Sequence, residues 1–273
     1  MLQAEIDSLR LGPAQLQRTS ARYGPHVLSY SRRPFGQPRR GSLEPPSTPR
    51  APEDYKLPTT VIPLSYHISL IPYLEAPPAP ANPFTFDGEV TIRIRAREPT
   101  STIVMHAWDL TVSQIAVIRV RDGALVTVTD YLITPEDTNF FTINLATALE
   151  AGQEYDVIIF FKGVLNSEGY GFFRSEWTDE NGNLKWLGAT QFESHAARRA
   201  FPCFDQPDMK AVFTMNIAQQ PNYKALANMP LASEGDPVEG LAGWTWARFQ
   251  PSVPMSSYLV AFTTSEFMAV TNG

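Results

Sequence analysis

The chain has a single cysteine, Cys203, among its 273 residues, so no internal disulfide can form. A domain of this length buries enough surface to fold without one. Histidine is scarce too. The four, His26, His67, His106 and His195, are never followed by Glu, and no two lie within four residues of one another. That excludes a helical H-E-x-x-H zinc pair. There is no G-x-S-x-G elbow and no glycine-rich phosphate loop. Asn166-Ser167-Glu168 comes near an N-glycosylation acceptor but lacks the third residue. No apolar run approaches the roughly 18 residues of a membrane helix. The opening Met1-Leu2-Gln3-Ala4-Glu5-Ile6-Asp7 has no signal-peptide core, so the expectation is a soluble chain with no export address.

Positive charge is in deficit overall: 22 Lys and Arg stand against 28 Asp and Glu, a net charge of −6. A domain that neutralises phosphates needs a basic face, so no nucleic-acid partner is expected. The charge is uneven. Residues 1–53 hold eight Arg against four acidic side chains, along with eight of the 24 prolines. Apart from a possible short helix near Ile6–Leu16, this stretch lacks apolar periodicity. It reads as a disordered Arg/Pro-rich leader, with a basic binding arm as the functional alternative.

Residues 54–273 read differently. Ser65–Pro72 places Tyr66, Ile68 and Leu70 on one face, and Phe86–Arg97 sets Val90, Ile92 and Ile94 against Thr91, Arg93 and Arg95. Period-two alternation of this kind marks strands with one buried face. Further short runs follow at Thr102–Ala107, Gln114–Arg121, Leu125–Tyr131, Phe140–Leu145 and Tyr155–Val164. A second group comprises Leu184–Leu187, Ala211–Ile217, Lys224–Met229, Thr245–Phe249 and Tyr258–Ser265. Loops are expected at Pro77–Pro80 and Pro135–Asp137, and helix signals reduce to one or two turns at Glu193–Ala200. The expected fold class is all-β: an antiparallel sandwich or saddle-like domain with short helical turns.

The chemistry concentrates in Trp186–Phe213, WLGATQFESHAARRAFPCFDQPDMKAVF. Cys203 sits between Pro202 and Phe204, as a small buried hydrophobe does, and no base is near it in sequence. Gln191 and Glu193 lie two apart, so an extended backbone directs both to one face. An amide and a carboxylate side by side can accept hydrogen bonds from an ammonium group, such as a free peptide N-terminus. The competing reading is structural, with Arg198, Arg199 and Asp205 forming an ion-pair web around the Pro-Cys-Phe-Asp turn.

This stretch resembles the signature of the aminopeptidase N family of zinc exopeptidases. More of the chain matches in order: Tyr55–Pro58 with Pro63–Tyr66, Phe86-Asp87-Gly88 with Val90 and Ile92, Ala227–Pro230 and Pro254–Phe262. Gly169–Ser175 looks like the family's G-[FL]-Y-x-S turn, with Phe173 where Tyr is usual. The resemblance covers Tyr55 to the C-terminus. It implies an N-terminal β domain lying over a thermolysin-like catalytic domain that carries G-x-M-E-N and H-E-x-x-H. Neither element is present, so the expectation is a chain that ends before the zinc site and is inactive alone.

By resemblance, Glu193 helps hold the substrate's free amine and Gln191 lines the pocket for the first side chain. No catalytic or metal-binding residue is expected in this chain; zinc belongs to the full-length enzyme. The implied partners are a peptide N-terminus and the missing catalytic domain. Family members are often extracellular or anchored at the plasma membrane, and the basic leader departs from that pattern. Two other readings stay open. One is a scaffold module that kept the β domain and lost catalysis, as in a general transcription factor subunit. The other is a leukotriene hydrolase-type epoxide hydrolase, against which Phe192-Glu193 argues.

Overall fold

A computed structural model describes residues 55–75, 81–134 and 138–267. The leader, the Pro77–Pro80 loop and the Pro135–Asp137 turn lie outside these residues. Fifteen strands run in chain order: β1 Val61–Tyr73, β2 Thr85–Ala96, β3 Thr100–His106, β4 Thr111–Arg119, β5 Leu125–Val126, β6 Val128–Ile133, β7 Phe140–Leu149, β8 Glu154–Val164, β9 Gly171–Thr178, β10 Leu184–Gln191, β11 Val212–Gln219, β12 Lys224–Ala227, β13 Leu231–Pro237, β14 Thr245–Phe249 and β15 Phe262–Ser265. They make an eight-stranded sheet (β13-β14-β11-β1-β2-β8-β4-β5), a four-stranded sheet (β12-β15-β10-β9) and a three-stranded sheet (β3-β7-β6). The all-β reading holds, and every strand pair is antiparallel except β1 with β11.

The alternation seen in the sequence is what builds the core. Tyr66, Ile68 and Leu70 of β1 and Val90, Ile92 and Ile94 of β2 are all buried, each at 1% exposure or less. They join Ile103, Met105, Phe141 and Ile143 from the three-stranded sheet in one continuous core cluster. The opposite face of β2 is wet, and Arg93 and Arg95 there meet Asp156 and Glu154 of β8. Such exposed cross-strand pairs contribute little individually and mainly hold register.

The Phe86-x-Gly88 pattern has a packing reason. Phe86 lies opposite Gly163, and Gly88 opposite Phe161. A Cβ on Gly88 would sit 2.4 Å from the Phe161 ring, and one on Gly163 would sit 2.2 Å from the Phe86 ring. Each glycine leaves its face open so that the cross-strand phenyl ring can lie over the backbone, with the two rings edge to face at 6.4 Å.

Three local expectations need correction. Gly169–Ser175 is not only a turn: from Gly171 it enters β9, a full partner of β10. Tyr258–Ser265 begins as a 3₁₀ turn at Ser257–Leu259, and its strand starts at Phe262. The Lys224–Met229 run ends as a strand at Ala227.

Candidate functional site

The segment from Gln191 to Ala211 links the four-stranded sheet to β11 of the eight-stranded sheet. On the way it touches the third sheet, where His106 at the end of β3 pairs with Cys203 through both backbone bonds (2.8 and 3.0 Å). Helical character shrinks to a 3₁₀ turn at Ala197–Arg199. Two backbone bonds fold the chain back before it: Ala196 N–H donates to Phe192 O at 2.8 Å, and Arg199 N–H to Ala196 O at 3.1 Å. The Glu193–Ser194 peptide is cis.

Gln191 and Glu193 are both exposed, and Phe192 between them is 2% exposed. The Phe192 ring packs at 6.0 Å from Phe201 and 6.1 Å from Phe262. A buried aromatic flanked by two outward polar side chains is the arrangement an extended backbone dictates. Trp186–Phe213 contains three carboxylates. Asp205 is bound by Arg198, and Asp208 accepts from Gln206 Nε2 at 2.9 Å. Glu193 makes no side-chain hydrogen bond or ion pair among the described residues.

The two arginines take separate tasks. Arg198 is buried and donates through Nε to Asp205 Oδ2 at 3.0 Å. Its remaining donors reach Thr138 O at 3.1 Å and Asp205 O at 3.2 Å. Asp205 in turn accepts from Ser257 Oγ at 2.6 Å, and its backbone N–H donates to His106 Nδ1 at 3.2 Å. That bond requires an unprotonated Nδ1. Burial holds the His106 pKa down to about 2, with help from the neighbouring charges of Arg198 and His195. Burial likewise pushes the Cys203 thiol well above its usual value, so this cysteine is an inert packing group.

Arg199 pairs elsewhere. The expected single web of Arg198, Arg199 and Asp205 is therefore corrected to two. Arg199 binds Asp109 at 3.0 Å and Glu168 at 2.8 Å, and its guanidinium stacks 4.3 Å over Trp108. Burial opposes its charge, but the bonds to Glu168 and Asp109 more than offset this, and the pKa is raised overall. Sequence reasoning passed over Trp108, Asp109, Glu168 and Tyr170. They sit in two loops far along the chain, and the only local cue was an aromatic next to an acid in Trp108-Asp109 and a Glu-Gly-Tyr run at 168–170.

Among the described residues no three His, Cys, Asp or Glu side chains gather where a metal could bind. The resemblance places zinc in the full-length enzyme, and none of the described residues is assigned to it.

Comparison with known proteins bears on this geometry. The peptidase M1 N-terminal domain matches residues 62–259. Aminopeptidase N of Bos taurus is 36% identical over 230 residues, covering 79% of this chain and 22% of that protein. Endoplasmic reticulum aminopeptidase 1 of Homo sapiens is 36% identical over 216 residues, with the same coverage of each. Puromycin-sensitive aminopeptidase of Caenorhabditis elegans is 37% identical over 212 residues, covering 77% of this chain and 21% of that protein. The chain thus spans about a fifth of the length of these relatives. The match runs through the strands that build the core and through the segment carrying Gln191 and Glu193, and it places the chain in the M1 peptidase family, of which it carries the N-terminal domain.

Proposed function

We propose that this domain recognises the free amino terminus of a peptide for an M1 aminopeptidase, with Glu193 as the anion that meets the ammonium group and Gln191 beside it against the first side chain. The observation that carries this reading is that Glu193 has no side-chain partner among the described residues. Its neighbours Asp205 and Asp208 have partners within the chain, whereas Glu193 projects to solvent from a backbone anchored by buried Phe192. A fixed carboxylate sets how far along the peptide the reacting carbonyl falls. It also disfavours blocked termini, which leave the charge unmatched.

On its own the site is open to water, and an exposed ion pair of this kind contributes only ~0.2–1 kcal/mol. Covering the site would lower the local dielectric and strengthen the contact. The rest of the enzyme is proposed as the cover, and this chain alone as inactive. A second surface supports that view. Leu226, Leu231, Val253 and Leu259 are between 44% and 70% exposed. Asn228 draws two of their segments together, donating to Leu259 O at 2.9 Å and accepting from Ala261 N–H at 2.8 Å. Residues adjoining these segments, among them Ala227, Met229, Phe249 and Met255, line a small recess. Exposed apolar residues of this kind suit docking against another part of an enzyme as long as these relatives.

The test is a titration of the isotope-labelled chain, followed by nuclear magnetic resonance, with alaninamide and with N-acetyl-alaninamide. Free amine at high concentration is expected to shift the Gln191–Ser194 amides selectively, and Glu193→Gln to abolish the effect. Equal shifts with both ligands would refute the amine reading.

A further inference from the structure

We propose that Arg199 is the positioning residue of the amine site, clamping two distant loops onto the turn that presents Glu193. The inference rests on the amine-recognition reading for its functional meaning, though its geometry stands alone.

The guanidinium is gripped on three sides. Nη2 binds Asp109 from the loop after β3, and Nη1 binds Glu168 from the loop before β9. Its plane lies over Trp108, and Tyr170 closes the next side at 6.0 Å. The Arg199 side chain is 11% exposed while both carboxylates are 62% exposed. The cation is thus the better shielded member of each pair, held against the protein while both carboxylates stay largely in solvent.

The clamp reaches the site by two routes. Along the chain, Arg199 N–H holds Ala196 O, and Ala196 N–H holds Phe192 O, one residue from both Gln191 and Glu193. Across the sheet, Gly171 is the strand partner of Gln191. Gly171 has φ +75°, and a Cβ there would lie 3.0 Å from the Arg199 Cβ, so the arginine stem closes against the backbone beside Gln191. Tyr170, just before it, meets the His195 ring edge to face at 6.3 Å. The backbone that carries both polar residues of the site is thereby tied to Arg199, whose guanidinium holds the two loops and touches neither Gln191 nor Glu193. Lysine cannot replace it, because a point charge neither stacks on Trp108 nor divides a planar fork between two carboxylates.

Two measurements on this chain decide the matter. The first is amide hydrogen exchange in Arg199→Met and Arg199→Lys. Exchange at Ala196 and Trp108 is expected to rise at least tenfold in both variants, with β1 and β2 unchanged. The second is the alaninamide titration. Both variants are expected to lose the selective shifts at Gln191–Ser194, with no rescue by lysine. Unchanged exchange overturns the clamp whatever the titration shows. Raised exchange with undiminished amine binding overturns the positioning role and leaves the amine reading intact. If the parent chain shows no amine selectivity, the amine reading fails and the functional meaning of the clamp fails with it, while the exchange data still decide the clamp itself. Full rescue by Arg199→Lys reduces the residue to a structural charge and also overturns the proposal.

Discussion

Removing the Asp205 carboxylate should be among the costliest single changes in this domain. Asp205→Ala deletes the acceptor of the Arg198 Nε bond at 3.0 Å and of the Ser257 Oγ bond at 2.6 Å, both buried. Arg198 is 6% exposed, so its charge cannot escape to water. Breaking a buried pair from one side costs about 3–5 kcal/mol, because the surviving ion stays desolvated and unmatched. Arg198 keeps its bonds to Thr138 O and the Asp205 backbone carbonyl, which argues for the lower half of that range. For a domain of this size, 1 kcal/mol moves the melting temperature by about 2–4 °C, so the expected loss is about 6–16 °C. Circular dichroism melting of the parent chain and the variant measures it. Asp205→Asn separates charge from shape: its Oδ1 can face Arg198 while its Nδ2 faces Ser257, so the loss should be smaller. Pairing Asp205→Leu with Arg198→Met should recover part of the loss, because no lone charge is then left inside. A drop below about 2 °C in Asp205→Ala would refute the claim that this pair organises the segment.

The histidine beside this pair makes stability depend on pH. His106 has its folded pKa lowered to about 2, below the usual 6.5, so in acid the unfolded chain takes up a proton that the folded one refuses. Its contribution is therefore complete above pH 6.5 and is lost as the pH falls toward 2, at about 1.4 kcal/mol per pH unit. Urea unfolding at pH 6 and pH 4 should show this slope, and His106→Gln should flatten it by about that amount; equal slopes would refute the assignment. Gly88→Ala forces a methyl group into the Phe161 ring and should cost about 1–3 kcal/mol, read as an earlier urea midpoint with an unchanged m-value. Cys203 should resist thiol reagents in the native chain and react once urea unfolds it; fast native labelling would contradict its burial.

Strands were legible where one face is buried. The strictly alternating Val90, Ile92 and Ile94 announce β2, and Thr245–Phe249 was placed at both ends. β13 gave no such signal because all seven of its residues are exposed. What holds it is its backbone pairing to β14, with the ion pairs of Glu234 with Lys224 and Asp236 with Arg248, the latter at 3.1 Å, helping to fix its place. β9 was hidden by its own start: Gly169 and Gly171 both have positive φ, which reads as a turn, and the strand begins at the second of them. The parallel β1–β11 pairing joins residues about 150 apart and leaves no local trace. The same reason hid the partners of Arg199. Loops chosen by the fold bring Asp109 and Glu168 to it, whereas Arg198 and Asp205 are seven residues apart, and the 3₁₀ turn at Ala197–Arg199 followed by the Cys203 bridge to His106 brings them together.

The division of charge along Gln191–Asp208 bears on what the segment is for. A linker between sheets needs rigidity, and here Phe192, Arg198, Cys203 and Asp205 supply it from inside. None of that requires Glu193. A carboxylate kept only for solubility could sit on any loop. This one instead follows a buried ring and leads into a turn held by the Ala196–Phe192 backbone bond, two residues from the exposed amide of Gln191. Ordering a backbone residue costs roughly 1–2 kcal/mol of conformational entropy, and a surface charge returns almost none of it. A charge placed here, with no side-chain partner among the described residues, is what the proposed recognition of an incoming ammonium group requires.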